Sequence, residues 1–417
     1  MTAVVSRSIT ARVARNTSFC VAAAGIEIVR AAVTTPVLTR HLGVADYGSL
    51  GVGLTLLALA RPFVATGVAM ILVRECAKHP EREVGLVAAG LRLGAGSALV
   101  FMVAAVATAL LAGGAGGLLA VLPALALSLF ADALAISGVL VTVRLRDERT
   151  AAAQLVSGAL FLAGTLALVA VGGGLTSMCL LFSACAGARA MVLWLVTRRL
   201  RRRPHARESR RDLAREAAPA AMLSFVAAAH MHLDMVLVAA LAGAAQAGLL
   251  AAASRVAFLA LILPQAIAAS LLPVLAKQTS ATAAATATRV SVGLGAVGAA
   301  GVILSVPLSG TIVSLLGDGF ADAAVLLPLL GVRVWFLYIS IPLDALLITA
   351  GRQRLVAWLH AAAAAGSLVL GLLVIPTHGA VGAVVVACIT EGLKCASVLF
   401  ICRRSVAPCE SASTRCS

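Results

Sequence analysis

The sequence predicts an all-α polytopic membrane protein of about twelve transmembrane helices. Two observations carry this. Hydrophobic residues make up 61% of the 417 positions and charged residues only 12%, against about 45–50% and about 25% in ordinary soluble domains. Mean hydropathy is correspondingly high, at +1.04. The apolar runs also approach or exceed the length that crosses a hydrocarbon core, about 20 residues at about 1.5 Å rise. A soluble enzyme, a disordered chain and a fibrous protein are excluded. An outer-membrane barrel is disfavoured, because its strands alternate in runs of about ten residues.

Twelve spans are read at roughly 17–39, 48–72, 85–112, 118–142, 151–171, 175–197, 218–240, 249–273, 290–316, 325–348, 355–375 and 380–401 by apolar run length. An even count places both termini on one side. The connecting segments of that side and the chain ends hold 26 of the 33 Lys and Arg, whereas the opposite loops hold only Arg40. Basic residues stay in the cytoplasm, so the N and C termini are placed there. The net charge of +16 thus reports topology and attraction to anionic lipid headgroups. Nucleic acid is not an expected partner, and membrane lipids are. Met1 to Arg15 is short and polar. The run after it is too long for a signal-peptide core and shows no clear cleavage site, so it is read as the first permanent span.

Nine cysteines include Cys388, Cys395, Cys402, Cys409 and Cys416 at seven-residue intervals. None lies in an outer loop, so no structural disulfide is expected. Arg and Ala abound while Lys is rare, as in a GC-rich bacterial genome, which places the chain in a bacterial cytoplasmic membrane.

The chain divides into an N-terminal lobe at 1–197, a basic linker at 198–216 and a C-terminal lobe at 217–417. The linker, TRRLRRRPHARESRRDLARE from Thr197 to Glu216, reads as topogenic, with a short amphipathic surface helix over Glu208 to Glu216. An internal repeat supports two lobes. Gly43 and Gly48 in LGVADYGSLGVG recur 200 residues later as Gly243 and Gly248 in LAGAAQAGLLAA. Each pair is followed by an apolar run and a proline, Pro62 or Pro264. Glycine suits a tight turn between antiparallel helices, and proline inside a span kinks it.

At these residues the chain resembles the oligosaccharide flippases of the multidrug/oligosaccharidyl-lipid/polysaccharide exporter superfamily, of which Wzx-type O-antigen flippases are familiar members. The likeness runs from LTRHLGVADYGSLGVG and LVRECAKHPE through 233–277, 315–332 and 348–391, and includes IP-x-x-GAVGA at 375–383. Leu249 stands after Gly248, where related members often carry an aromatic. The resemblance implies two six-helix lobes related by a pseudo-twofold axis and a cavity opening to each side by alternating access. It implies a polyprenyl-pyrophosphate-linked oligosaccharide as cargo and other polysaccharide-assembly proteins as partners. The alternatives are a multidrug or cation exporter of the same superfamily, and a non-transporting scaffold for glycan assembly.

The chemistry then rests on charges inside the spans. The cations are Arg30, Arg61, Arg189, Arg255, Arg333 and Lys394, and the acids are Glu27, Asp132, Asp234, Asp344 and Glu391. A lipid-facing charge at the bilayer centre costs about 2.5–3.5 kcal/mol on insertion scales, so these groups face a cavity, pair or snorkel. Arg30, Arg61, Arg255 and Arg333 are the candidate cargo contacts, because an arginine fork gives a phosphate two parallel charge-assisted bonds. Arg61 and Arg255 have no acid within a turn. Arg333 has a second reading as an interfacial anchor beside Trp335. Glu27 lies three residues from Arg30, which makes it a resting counter-ion. Asp234, with His230 four residues earlier on the same face and His232 nearby, is a candidate for ion coupling or for pairing with an arginine, since histidine titrates near neutrality. Glu391 and Lys394 read as a structural pair, Asp132 and Asp344 as partners for neighbouring helices, and Arg189 as snorkelling. No P-loop, nucleophile–base constellation or zinc-like spacing is found. No catalytic residue, metal or cofactor is expected.

Overall fold

The computed structural model describes residues 2–111, 118–144, 148–201 and 209–406. The described residues are helical throughout, joined by short turns. In chain order the helices are α1 (Thr2–Arg61), α2 (Gly67–Lys78), α3 (Glu83–Leu111), α4 (Leu118–Ala135), α5 (Val139–Thr142), α6 (Glu148–Ala170) and α7 (Leu175–Arg201). Then follow α8 (Arg210–Leu241), α9 (Gly243–Leu259), α10 (Ile262–Leu275), α11 (Ser280–Leu316), α12 (Ala323–Thr349) and α13 (Gln353–Val406). Such a chain suits a bilayer, where every backbone polar group must be satisfied within its own segment.

Among the described residues nine helices are long and apolar enough to cross a membrane, against the twelve expected, or ten when α9 and α10, bent by 45°, are taken as one broken span. Two of the nine are 51 residues long, Ile28–Lys78 and Gln353–Arg403. Each contains one glycine with non-helical backbone, Gly43 (φ 72°, ψ 177°) or Gly379 (φ 56°, ψ −138°). Gln353–Arg403 is long enough to cross once on either side of Gly379, and α1, which starts at Thr2, extends far enough on either side of Gly43 for the same. Gly43 and Gly243 of the internal repeat both adopt positive φ, so the repeated glycines mark equivalent turns.

The two repeat prolines also act locally. Pro62 has no N–H to return to the preceding turn. The chain opens there into a π-turn, Pro62–Thr66, closed by Gly67 N–H donating to Pro62 O. Pro264 follows the break between α9 and α10. The short surface helix expected over Glu208 to Glu216 is not separate. From Arg210 onward it is the first turns of α8, because nothing in RDLAREAA breaks helical geometry. Residues 202–208, Gly113 to Gly117, Cys409 and Cys416 lie outside the described residues.

The chain forms two compact units, Met1–Ala228 and Ala229–Ser417, and their boundary falls inside α8. In the first unit α4 is the hub, packed on α1, α3 and α7, while α6 packs on α1 and α7. Its core includes Leu72, Val87, Ile136, Leu140 and Leu213. In the second, α12 packs against α9, α10, α11 and α13 over a core including Leu271, Leu343, Leu347 and Val398. Outward faces stay apolar, as at Val100, Val103, Ile303 and Leu373, which is what lipid contact requires. The described cysteines are free.

Gly43→Ala is expected to cost about 1–3 kcal/mol, since its φ and ψ are essentially glycine-only. Thermal unfolding in detergent tests this, with Gly25→Ala in the middle of α1 as the milder control.

Candidate functional site

α1 carries Arg30 and Arg61 about half its length apart, and packing on α4 and α6 turns both into one cavity of about 860 Å³. That volume falls within the range of about 300–1,000 Å³ typical of ligand sites. The π-turn begins at the residue after Arg61, and such turns recur at functional sites.

Asp132 of α4 is the centre of the charge arrangement. Its Oδ2 accepts from Arg61 Nε at 2.8 Å and its Oδ1 from Arg189 Nη2 of α7 at 3.2 Å. The carboxylate is nearly buried, at 8% side-chain exposure, whereas Arg61 and Arg189 are exposed at 37% and 32%. Arg30 lies with its guanidinium carbon 5.0 Å from the centroid of the Phe161 ring, a cation–π arrangement. Its backbone carbonyl accepts from Thr34 Oγ1 at 2.8 Å. Phe161 in turn meets Phe182 edge to face at 6.2 Å. Among the described residues, the charged groups lining the cavity are three arginines and one aspartate.

α6 presents Thr150, Gln154 and Ser157 to the cavity. Their spacing of four and three residues keeps them on one helix face, with Phe161 four further on. Ser157 Oγ donates to Cys185 O, and Thr150 Oγ1 is buried without a hydrogen-bond partner.

The second unit holds a separate buried network. Arg333, only 1% exposed, donates to Asp234 Oδ2 at 2.6 Å and to the carbonyls of His230 and Met231 at 3.2 Å. His230 Nε2 stands 2.7 Å from Glu391 Oε2, and Lys394 Nζ 2.5 Å from Glu391 Oε1. His360 stands 3.7 Å from Asp344 and packs its ring against that of His230 at 5.3 Å.

The structure places Arg30 and Arg61, two of the expected cargo contacts, in the lining of one cavity. Arg333, expected at the cargo or at the membrane interface, instead lies inside the second unit with its guanidinium taken by Asp234 and two carbonyls. The indole of neighbouring Trp335 donates to Gly295 O. Asp234 and His230, expected to face one another, each turn to another helix, because α12 and α13 offer a cation and an acid respectively. Arg255 is exposed on α9, with no ion pair or hydrogen bond among the described residues. The Glu27 side chain lies outside those described. Arg189, expected to snorkel, and Asp132 are the cavity residues whose role the sequence hid. Among the described residues no group of metal-ligating side chains forms.

A family model described as polysaccharide biosynthesis protein matches residues 13–279. The chain belongs to this family. Its fold is similar to that of solved transporters. One is the inward-facing conformation of a multidrug resistance MATE family transporter of the MOP superfamily, with TM-score 0.75 and 13% identity over 94% of this chain and 96% of that one. Another is the lipid II flippase MurJ in an inward closed conformation, with TM-score 0.73 and 12% identity over 92% and 87%. A third is a MOP superfamily transporter from Pyrococcus furiosus, whose reverse pocket polarity suggests a different function, with TM-score 0.64 and 13% identity over 92% and 95%. No curated protein matches the chain in sequence. The protein is a multi-pass membrane protein with the fold of MOP transporters.

Asp234→Ala and Glu391→Ala are each expected to destabilise the protein by about 3–5 kcal/mol, because each strands a buried cation. Arg255→Ala is expected to fall within about 0.5 kcal/mol of wild type. Thermal unfolding of the three variants in one detergent separates the two classes.

Proposed function

We propose that the protein is a flippase that moves a polyprenyl-pyrophosphate-linked oligosaccharide from the inner to the outer leaflet by alternating access. The observation that carries this is the cavity charge among the described residues: Arg30, Arg61 and Arg189 against the carboxylate of Asp132. A diphosphate is a compact multiple anion, and arginine forks complement it with paired, charge-assisted bonds. The first sugars lie against Thr150, Gln154 and Ser157, whose amide and hydroxyls match sugar hydroxyls, and against the ring of Phe182. The prenyl tail stays in lipid. Net drive comes from an ion or voltage gradient, or from consumption of the cargo on the far side. Membership of the polysaccharide biosynthesis family supports a glycan cargo.

The same reading takes twelve crossings with both termini cytoplasmic, and lobes at 1–197 and 217–417 flanking the basic linker. Asp234 and His230 serve as counter-ions within the second unit, with ion coupling requiring those pairs to open. A cation exporter would need the opposite cavity charge. A scaffold would need neither the cavity nor its arginines.

The test is a depletion strain whose extracted lipids are quantified by mass spectrometry. One lipid-linked oligosaccharide is expected to accumulate while its surface polymer disappears. Arg61→Ala is expected to fail to rescue. Loss of one charge-assisted bond weakens cargo binding by about 1.5–3 kcal/mol, roughly ten- to a hundredfold. Sensitivity to cationic dyes with no accumulated intermediate would overturn the flippase reading in favour of the exporter.

A further inference from the structure

We propose that Asp132 is a built-in stand-in for the cargo's diphosphate, which holds the two arginines ready and weakens cargo binding enough to permit release. This rests on the flippase reading above. The geometry that points to it is the sharing of one carboxylate. Each oxygen of Asp132 takes a single N–H, one from Arg61 and one from Arg189. A guanidinium has five N–H donors, and neither arginine has another partner among the described residues. The remaining donors belong to side chains that are about a third exposed, while Asp132 itself is nearly buried. The carboxylate thus sits behind the arginines and leaves their outer donors for a ligand in the cavity.

Two consequences follow from charge alone. In the empty cavity Asp132 keeps two like-charged guanidiniums from repelling each other and fixes their orientation, so they meet the ligand preorganised. In the loaded cavity it is a like charge beside a bound anion, and like-charge juxtaposition opposes binding. A ligand must outbid a monoanionic carboxylate for both forks. A diphosphate does so more effectively than a monophosphate or a neutral sugar. Asp132 is therefore a specificity-determining residue as well as a release device. It acts through Arg61 and Arg189 rather than by touching cargo.

The experiment uses the full chain in lipid nanodiscs and titrates it with geranyl pyrophosphate and geranyl monophosphate by calorimetry. Asp132→Asn keeps the shape and removes the charge. It is expected to bind the diphosphate roughly tenfold tighter than wild type, with the preference over monophosphate reduced. Arg61→Ala is expected to bind roughly tenfold or more weaker. Diphosphate binding that depends on Arg61 but is no tighter in Asp132→Asn would overturn the stand-in and leave the anion site standing. Binding that is absent, or indifferent to Arg61, removes the anion site itself and the stand-in with it. Asp132→Ser is the second variant should Asp132→Asn fold poorly. Failure of both to fold, unrescued by geranyl pyrophosphate in a melting experiment, makes Asp132 a structural clamp and overturns the proposal.

Discussion

Everything in this molecule depends on where the charges inside the apolar helices find their partners. A charge facing hydrocarbon is costly, and a buried pair broken on one side is costlier still than a pair never made. The two units meet this constraint differently. In the second unit the buried charges close on themselves: Arg333 with Asp234, Lys394 and His230 with Glu391, His360 with Asp344. In the first, Arg61 and Arg189 share the single carboxylate of Asp132 and remain partly open to a cavity that Arg30 also lines. A self-neutralised network is a structural element. A cavity with positive charge left over among the described residues is where the proposed anion would sit.

The backbone makes that cavity possible by controlled departures from regular helix. Gly43 breaks the helix between Arg30 and Arg61, 31 residues apart, and both line the same cavity. Pro62 opens the π-turn directly after Arg61. Regular helix on both sides keeps the backbone hydrogen-bonded, as a bilayer demands. The irregularity is confined to positions where glycine or proline makes it least costly.

The membership of the polysaccharide biosynthesis family and the shared fold of MOP transporters bear on different questions. The family match covers the first unit and the start of the second. The structural likeness covers nearly the whole chain at 12–13% identity. Fold alone does not choose between drug and lipid-linked cargo, because function resides in sites built on a fold. The flippase proposal rests on the sign of the cavity charge among the described residues.

The sequence by itself determined the helical membrane class and the turn at Gly43 with its echo at Gly243. These are local properties: run length, composition and the conformational freedom of single residues. It also marked Arg30 and Arg61, because an arginine within a span must have a reason. Which acid meets which cation was decided only by tertiary structure. Helical periodicity shows neighbours three or four residues apart, and it rightly paired Glu391 with Lys394. Arg61 meets Asp132 across 71 residues, Arg333 meets Asp234 across 99, and His230 meets Glu391 across 161. Such pairs depend on how each helix is rotated against its neighbours. Many side chains far apart in the chain set that rotation together, so no local pattern records it.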